Sequence, residues 1–281
     1  MKIHIGFDIV IERRFATTVL LALLPRPEEE WRIEASGGIR LSPDSPARPF
    51  SDAFGNRRVR VAEGVGPMRL QWEAMVHDDG QPDAVDPLAL PTPIFDLPQE
   101  TLQYLAPSRY CQSDLLTPDA WALFGHVPDG WARVQAVCDF VHRHITFGYG
   151  HADMSKTALD VFRDGRGVCR DFAHLTIAFC RALNLPARYV SGYLGDIGVP
   201  HGGPGDFCAW VEVFIGGAWR TIDARYNMPR IGRVAMVHGR DAVDVPMLTS
   251  FGAMDLSHFS VWCDEVIENE ESGAGRRFAA Q

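Results

Sequence analysis

No stretch of this 281-residue chain approaches the roughly 18 consecutive apolar residues that a membrane-spanning helix needs, so no membrane partner is expected. The one imitation of a leader is Arg13-Arg14 followed by the apolar run Phe15–Leu24. It lacks a cleavage site of small residues, because Pro25-Arg-Pro-Glu-Glu-Glu30 follows, and strand-period alternation precedes it. Basic clusters are missing too. Lys and Arg number 27 against 36 Asp and Glu, a net charge of −9, and the scattered positive residues leave no electrostatic footprint for nucleic acid. The six cysteines, at 111, 138, 169, 180, 208 and 263, form neither CxxC pairs nor the dense spacing of a disulfide-stapled secreted domain. Free thiols in a soluble cytoplasmic protein are the expectation, and no cofactor motif stands out. Internal repeats and low-complexity tracts are absent as well.

What is present divides into three stretches. Residues 1–78 read as strands: Ile3, Ile5, Phe7, Ile9 and Ile11 alternate with mostly polar neighbours, and strands are expected again at 17–24, 31–33, 59–61 and 68–76. Ser36-Gly-Gly38, Phe54-Gly-Asn56 and Gly64-Val-Gly-Pro67 read as the turns between them, which predicts an all-β, sandwich-like domain. Residues 79–107 are polar and proline-rich and read as a linker. Residues 108–281 read as an α+β domain. Val134, Val137, Cys138, Val141 and Ile145 share one helical face, and a second helix starts near Cys169 with Phe172, Leu175, Thr176, Phe179 and Leu183 inward. Strands are expected over 187–194, 207–215 and 219–223, the last two joined at Gly216-Gly217.

The segment Asp164-Gly-Arg-Gly-Val-Cys-Arg-Asp-Phe-Ala-His174 sets a thiol where a glycine-bearing loop enters a helix. Unpaired N–H groups and the positive end of the helix dipole favour an anion there, so a lowered thiol pKa is expected, and the same N–H groups suit an oxyanion. A cysteine that is merely buried fits this segment equally well.

The runs Gly167-Val-Cys-Arg-Asp-Phe-Ala-His-Leu175, Arg181-Ala-Leu-Asn-Leu-Pro-Ala-Arg-Tyr-Val-Ser-Gly-Tyr193, Ala209-Trp-Val-Glu-Val213 and Trp219-Arg-Thr-Ile-Asp223 resemble the core of bacterial transglutaminase-like proteins, thiol enzymes of papain-like fold. Asp52-Ala-Phe-Gly-Asn56 and Tyr104-Leu-Ala-Pro-Ser-Arg-Tyr110 extend the resemblance to that branch's amino-terminal β-domain and inter-domain segment. It implies a helix packed on an antiparallel sheet, a peptide or protein amide substrate, and acyl transfer or hydrolysis through a Cys-His-Asp set. By motif Cys169 takes the nucleophile's place and Asp223 the orienting carboxylate's. The base's place, directly before Ala209-Trp210, holds Cys208 in place of a histidine.

A two-residue turn at Gly216-Gly217 would oppose residues whose numbers sum to 433 and set Cys208 diagonal to Asp223, too far for a cysteine to reach. A thiol is also a poor substitute base, since its conjugate would be a second anion beside Asp223 and Cys169. Three readings follow: His201, on the glycine-rich loop upstream, enters the site as base; Cys169, Cys208 and Asp223 hold zinc, with His201 or water as fourth ligand; or the site is catalytically silent and binds peptide, with a Cys169–Cys208 disulfide as a variant. His174 sits five residues after Cys169, half a turn off its direction on the helix, and is the poorer base.

Overall fold

The computed structural model describes residues 1–34, 36–202 and 205–267. Its first strands are β1 (Lys2–Leu21), β2 (Arg40–Ser42), β3 (Ala47–Ser51) and β4 (Arg57–His77). Then come α1 (Ser113–Phe124), α2 (Trp131–His144), β5 (Thr146–Phe147), α3 (Ala158–Asp164), β6 (Arg166–Gly167) and α4 (Cys169–Ala182). The chain continues through β7 (Ala187–Tyr193), β8 (Phe207–Ile215), β9 (Ala218–Ile222), β10 (Val234–Gly239), β11 (Leu248–Ser250) and β12 (Met254–Val266).

The alternation at residues 3–11 becomes the inner face of β1, where all five apolar side chains are fully buried. The amino-terminal region is β-rich, as expected, but its strands are longer than the turn signals suggest. β1 continues through residues 12–16 without a break, and β4 runs through Gly64-Val-Gly-Pro67. The pairing of β1 with β4 shifts register between Arg13 and Thr17, opposite these glycines. Gly66 has φ +83°, and a Cβ on Gly64 would meet the Arg13 guanidinium at 2.6 Å. The glycines thus mark an irregularity inside one ribbon rather than a turn. Residues 31–33 are not a strand either: Pro27 opens a 3₁₀-helix over Pro27–Arg32, and Ile33 keeps only an isolated bridge to Val76.

Residues 248–266 pair with β1, although the sequence pattern groups them with the second region. β11 and β12 line one edge of β1 antiparallel, while β4 lines the other and carries β2 and β3 beyond it. A six-stranded sheet built from both ends of the chain results among the described residues.

The second sheet has the order β10-β7-β8-β9. α4 packs against β7 and β8 on one side and against α1, α2 and α3 on the others. Its expected stripe is buried, and so is every residue from Asp171 to Ala182, as befits a helix enclosed on all sides. It ends where expected: Asn184 takes the left-handed conformation at φ +63°, and the Leu185 N–H returns to the Cys180 carbonyl at 2.9 Å. The α2 stripe is buried throughout.

One apolar core runs through both sheets, with Phe7 of β1 against Phe207 of β8 at 6.4 Å between ring centroids. Asn56, from the Asp52–Asn56 motif, extends the contact: its side chain accepts from the His238 N–H (2.8 Å) and donates to the His238 carbonyl (2.9 Å). The connection from β7 to β8 is pressed onto β12. A Cβ on Gly195 or Gly205 would lie 1.9 or 2.1 Å from the carbonyl oxygens of Cys263 or Val261.

Candidate thiol site

Local backbone demands place Cys169. α3 starts in a capping box between Thr157 and Asp160 and stops at Gly165, which is left-handed at φ +67°. Two residues of parallel pairing, β6 with β5, then set Phe147 beside Gly167. Gly167 has to be glycine, because a Cβ there would meet the Asp171 Cβ at 2.6 Å. That closeness lets the Asp171 carboxylate accept the Val168 N–H at 2.9 Å, satisfying one orphan donor of the helix start. Cys169 is consequently the first residue of α4, a half-buried position where the backbone N–H groups of Arg170 and of Ala209 in β8 favour its thiolate.

Burial pushes the Cys169 thiol above its ordinary pKa, with the nearby Arg225 cation and the two N–H groups pulling the other way. The expectation of a lowered thiol pKa is therefore corrected: the helix start does favour a thiolate, but desolvation outweighs it.

The β8–β9 hairpin has the expected register. Ile215 faces Ala218 and Val211 faces Ile222, with Gly216 and Gly217 at φ +63° and +75° as a two-residue turn of this kind requires. Cys208 lies one residue before Ala209, in a small apolar group with Val190, Leu194, Trp210 and Ala235. It is only 6% exposed, and burial, reinforced by the charge of Cys169, pushes its thiol up to about 12.

Arg225 joins the two cysteines. Its Nη1 is 3.9 Å from the Cys208 sulfur, and its charge acts on both thiols. Stacking over Phe147 at 4.0 Å and Tyr226 at 4.8 Å holds the guanidinium in place. Asp206 and Tyr149 complete the electrostatic surroundings of Cys169. Burial raises the Asp206 carboxyl above its usual range.

Asp223 is buried beside Cys208 but turned elsewhere. One oxygen accepts the N–H groups of Arg225 (3.0 Å) and Tyr226 (3.4 Å), and the other accepts from Arg233 at 3.0 Å. Arg233 in turn grips Asp83 through Nε and lies over the Trp210 ring at 4.9 Å.

The structure thus brings Cys169 and Cys208 together and engages Asp223 with an arginine. Among the described residues no imidazole hydrogen-bonds to any of the three. His201 is 83% exposed and pairs with Asp196 at 3.4 Å, so the idea that it enters as base is corrected. His174 is fully buried, stacked on Tyr110, and accepts the Ala242 N–H at 3.2 Å. The zinc reading fails as well: among the described residues no three His, Cys, Asp or Glu side chains are grouped to hold a metal ion. Asp223 already serves Arg233, and the Arg225 cation lies 3.9 Å from the Cys208 sulfur, where it opposes a dication. Both cysteines are free thiols.

Arg225 and Arg233 are the site residues that sequence reasoning missed. Their signal was a buried-carboxylate motif, Asp223, followed within ten residues by Arg225, Arg230 and Arg233. A carboxylate bound for the interior needs a cation, and no histidine was at hand.

A family model for the transglutaminase-like superfamily matches residues 123–224. Among solved structures, a candidate cysteine protease of Cytophaga hutchinsonii superposes with a TM-score of 0.80 at 29% identity, over 98% of this chain and 94% of that one. An uncharacterized protein of Mycobacterium leprae (strain TN) is 37% identical over 117 residues, which is 38% of this chain. The match spans 41% of that curated relative. The periplasmic domain of TgpA from Pseudomonas aeruginosa gives a TM-score of 0.40 at 15% identity, over 79% of this chain and 88% of that domain.

Proposed function

Since the chain belongs to the transglutaminase-like superfamily, we propose that its site binds a peptide or protein amide at Cys169 but turns it over weakly or not at all. The observation that carries this reading is the Arg233–Asp223 pair beside a base position occupied by a buried thiol. Amide acyl transfer needs two proton movements: one off the nucleophile, and one onto the departing amine. In a Cys-His-Asp set the imidazole carries both. Here the neighbour is Cys208, whose thiol holds its proton up to about pH 12 and is a poor acid toward an amine. Asp223, neutralised by Arg233, has no imidazole to orient.

The parts that remain suit binding and slow acylation. Cys169 opens α4, and the N–H groups of Arg170 and Ala209 favour negative charge there, as an oxyanion requires. An activated ester, whose leaving group departs without a proton, could acylate Cys169; an amide could not do so efficiently.

The test compares wild type with Cys169→Ala on peptide amides and on activated esters. Amide turnover at the Cys169→Ala baseline, together with a covalent acyl adduct on wild-type Cys169 from the ester, is the expected result. Robust amide turnover abolished by Cys169→Ala would overturn the reading.

A further inference from the structure

The two cysteines at this site differ in a way that acyl chemistry does not need. Cys169 is partly open to solvent, whereas Cys208 is buried behind it. Arg225, whose Nη1 is 3.9 Å from the Cys208 sulfur, lies over the ring of Phe147, and Phe147 pairs with Gly167 two residues before Cys169, so both cysteines border one guanidinium. The guanidinium of Arg225 reaches the Cys208 sulfur and faces Cys169 at the same time. An accessible thiol, a shielded thiol beside it and a cation common to both is the arrangement of an attacking and a resolving cysteine.

We infer that Cys169 and Cys208 form a redox-active dithiol whose substrate is a low-molecular-weight disulfide of the glutathione type. The Cys169 thiolate, formed by loss of its proton to solvent, attacks one sulfur of the small disulfide. A Cys169–S–S–R bond forms, the S–S bond of the reagent breaks, and one thiolate leaves. That thiolate, or solvent, then takes the Cys208 proton. The Cys208 sulfur turns out of its apolar group and displaces the second thiolate from the Cys169 sulfur, leaving a Cys169–Cys208 disulfide. Two protein thiols are oxidised by two electrons, and one small disulfide is reduced to two thiols. The product takes Cys169 out of acyl chemistry, and a small thiol reverses it.

Nothing in this sequence requires a substrate amide, so it goes beyond the proposed function and does not rest on it. The other four cysteines are a built-in contrast. Cys111, Cys138, Cys180 and Cys263 are buried like Cys208, with thiols raised like its own, and what sets Cys208 apart is the Arg225 cation it shares with Cys169. They should stay reduced while the pair reacts.

The experiment exposes the folded full chain to glutathione disulfide, traps remaining thiols with N-ethylmaleimide and maps the peptides by mass spectrometry. Wild type should give a Cys169–Cys208 link with no persistent glutathione adduct. Cys208→Ser should lose the link and keep glutathione on Cys169; Cys169→Ser should show neither. Should Cys208→Ser fold poorly, Cys208→Ala serves the same purpose. Phenylarsine oxide, which bridges two neighbouring thiols, should bind wild type and not Cys169→Ser. The inference is overturned by a lasting glutathione adduct on wild-type Cys169, by a link that involves any other cysteine, by no reaction at all, or by failure of the arsenical to bind. Acylation by an activated ester would be unaffected by those failures and still tests the proposed function separately.

Discussion

Replacing Arg225 by methionine should slow alkylation of Cys169 and move its pH profile upward. Methionine keeps an unbranched chain to lie over Phe147 and Tyr226 while removing the charge. At the 3.9 Å between Arg225 Nη1 and the Cys208 sulfur, and an effective dielectric near 20, two unit charges interact by about 4 kcal/mol, which is an upper bound for the action of Arg225 on Cys169. Arg225 is half-exposed and the thiol only partly covered, so solvent screening reduces the usable effect to roughly 1–2 kcal/mol. That corresponds to a rise of about one pKa unit for the thiol. The thiolate fraction well below the pKa then falls about tenfold, and the greater nucleophilicity of the more basic thiolate recovers about a third of that in logarithmic terms or somewhat more. A three- to fivefold slower reaction with iodoacetamide near neutral pH is the order of magnitude expected. The assay follows alkylation rate against pH for wild type, Arg225→Met and Arg225→Lys, with Cys169→Ala as blank. Lysine should return most of the rate because it keeps the charge. A midpoint in Arg225→Met that stays where wild type has it, or moves down, would refute the electrostatic role given to Arg225.

Two further outcomes follow from the same geometry. Cys208→His should raise thiol reactivity and amide turnover, at or below the lower end of the about 10²–10⁴-fold that general-base assistance contributes, because Arg233 already shares Asp223; no gain in any thiol-dependent assay would count against an intact but unstaffed site. Buried His174 is held well below its ordinary pKa by desolvation, with Arg170 and Arg181 adding to the effect, while the unfolded chain takes up a proton near pH 6.5. Its contribution to stability is therefore complete above that value and declines as pH falls toward the depressed folded value, at up to about 1.4 kcal/mol per pH unit. Urea midpoints compared at pH 7.5 and 5 should show His174→Gln with the flatter dependence, and equal slopes would show that His174 is not responsible.

How far the sequence could be read depended on the range of each interaction. The β1 alternation, the start of α4 at Cys169 and the β8–β9 register are local patterns, and each was legible because one or two turns of chain determine it. That Cys208 stands where the resemblance implies a histidine was legible through the motif match and not through local geometry. The pairing of β12 with β1 was not, since nothing near residue 254 specifies a partner some 250 residues away. Gly64 to Pro67 carried a turn's composition, and only the opposing strand, shifting register there, makes it part of one ribbon. At the site, the thiol's position could be read but its proton affinity could not: the helix start is visible in sequence, whereas the burial that outweighs it is a sum over several elements. Arg233 escaped notice because a cation's partner is chosen by the fold.

The return of β12 to β1 makes the molecule a closed circuit. Lys2 faces Val266, and the carbonyls of Val261 and Cys263 press on Gly205 and Gly195 of the segment that leads into Cys208. β12 is thus both a neighbour of β1 in the first sheet and a backing for the segment that leads into Cys208. Such pairing joins strands far apart in sequence, and its loop-closure entropy has to be met before its contacts contribute. During synthesis β1 keeps one edge bare until β12 has been made, and the backing of the segment that leads into Cys208 comes with that strand. Completion of the first sheet and support of the segment before Cys208 are then one event.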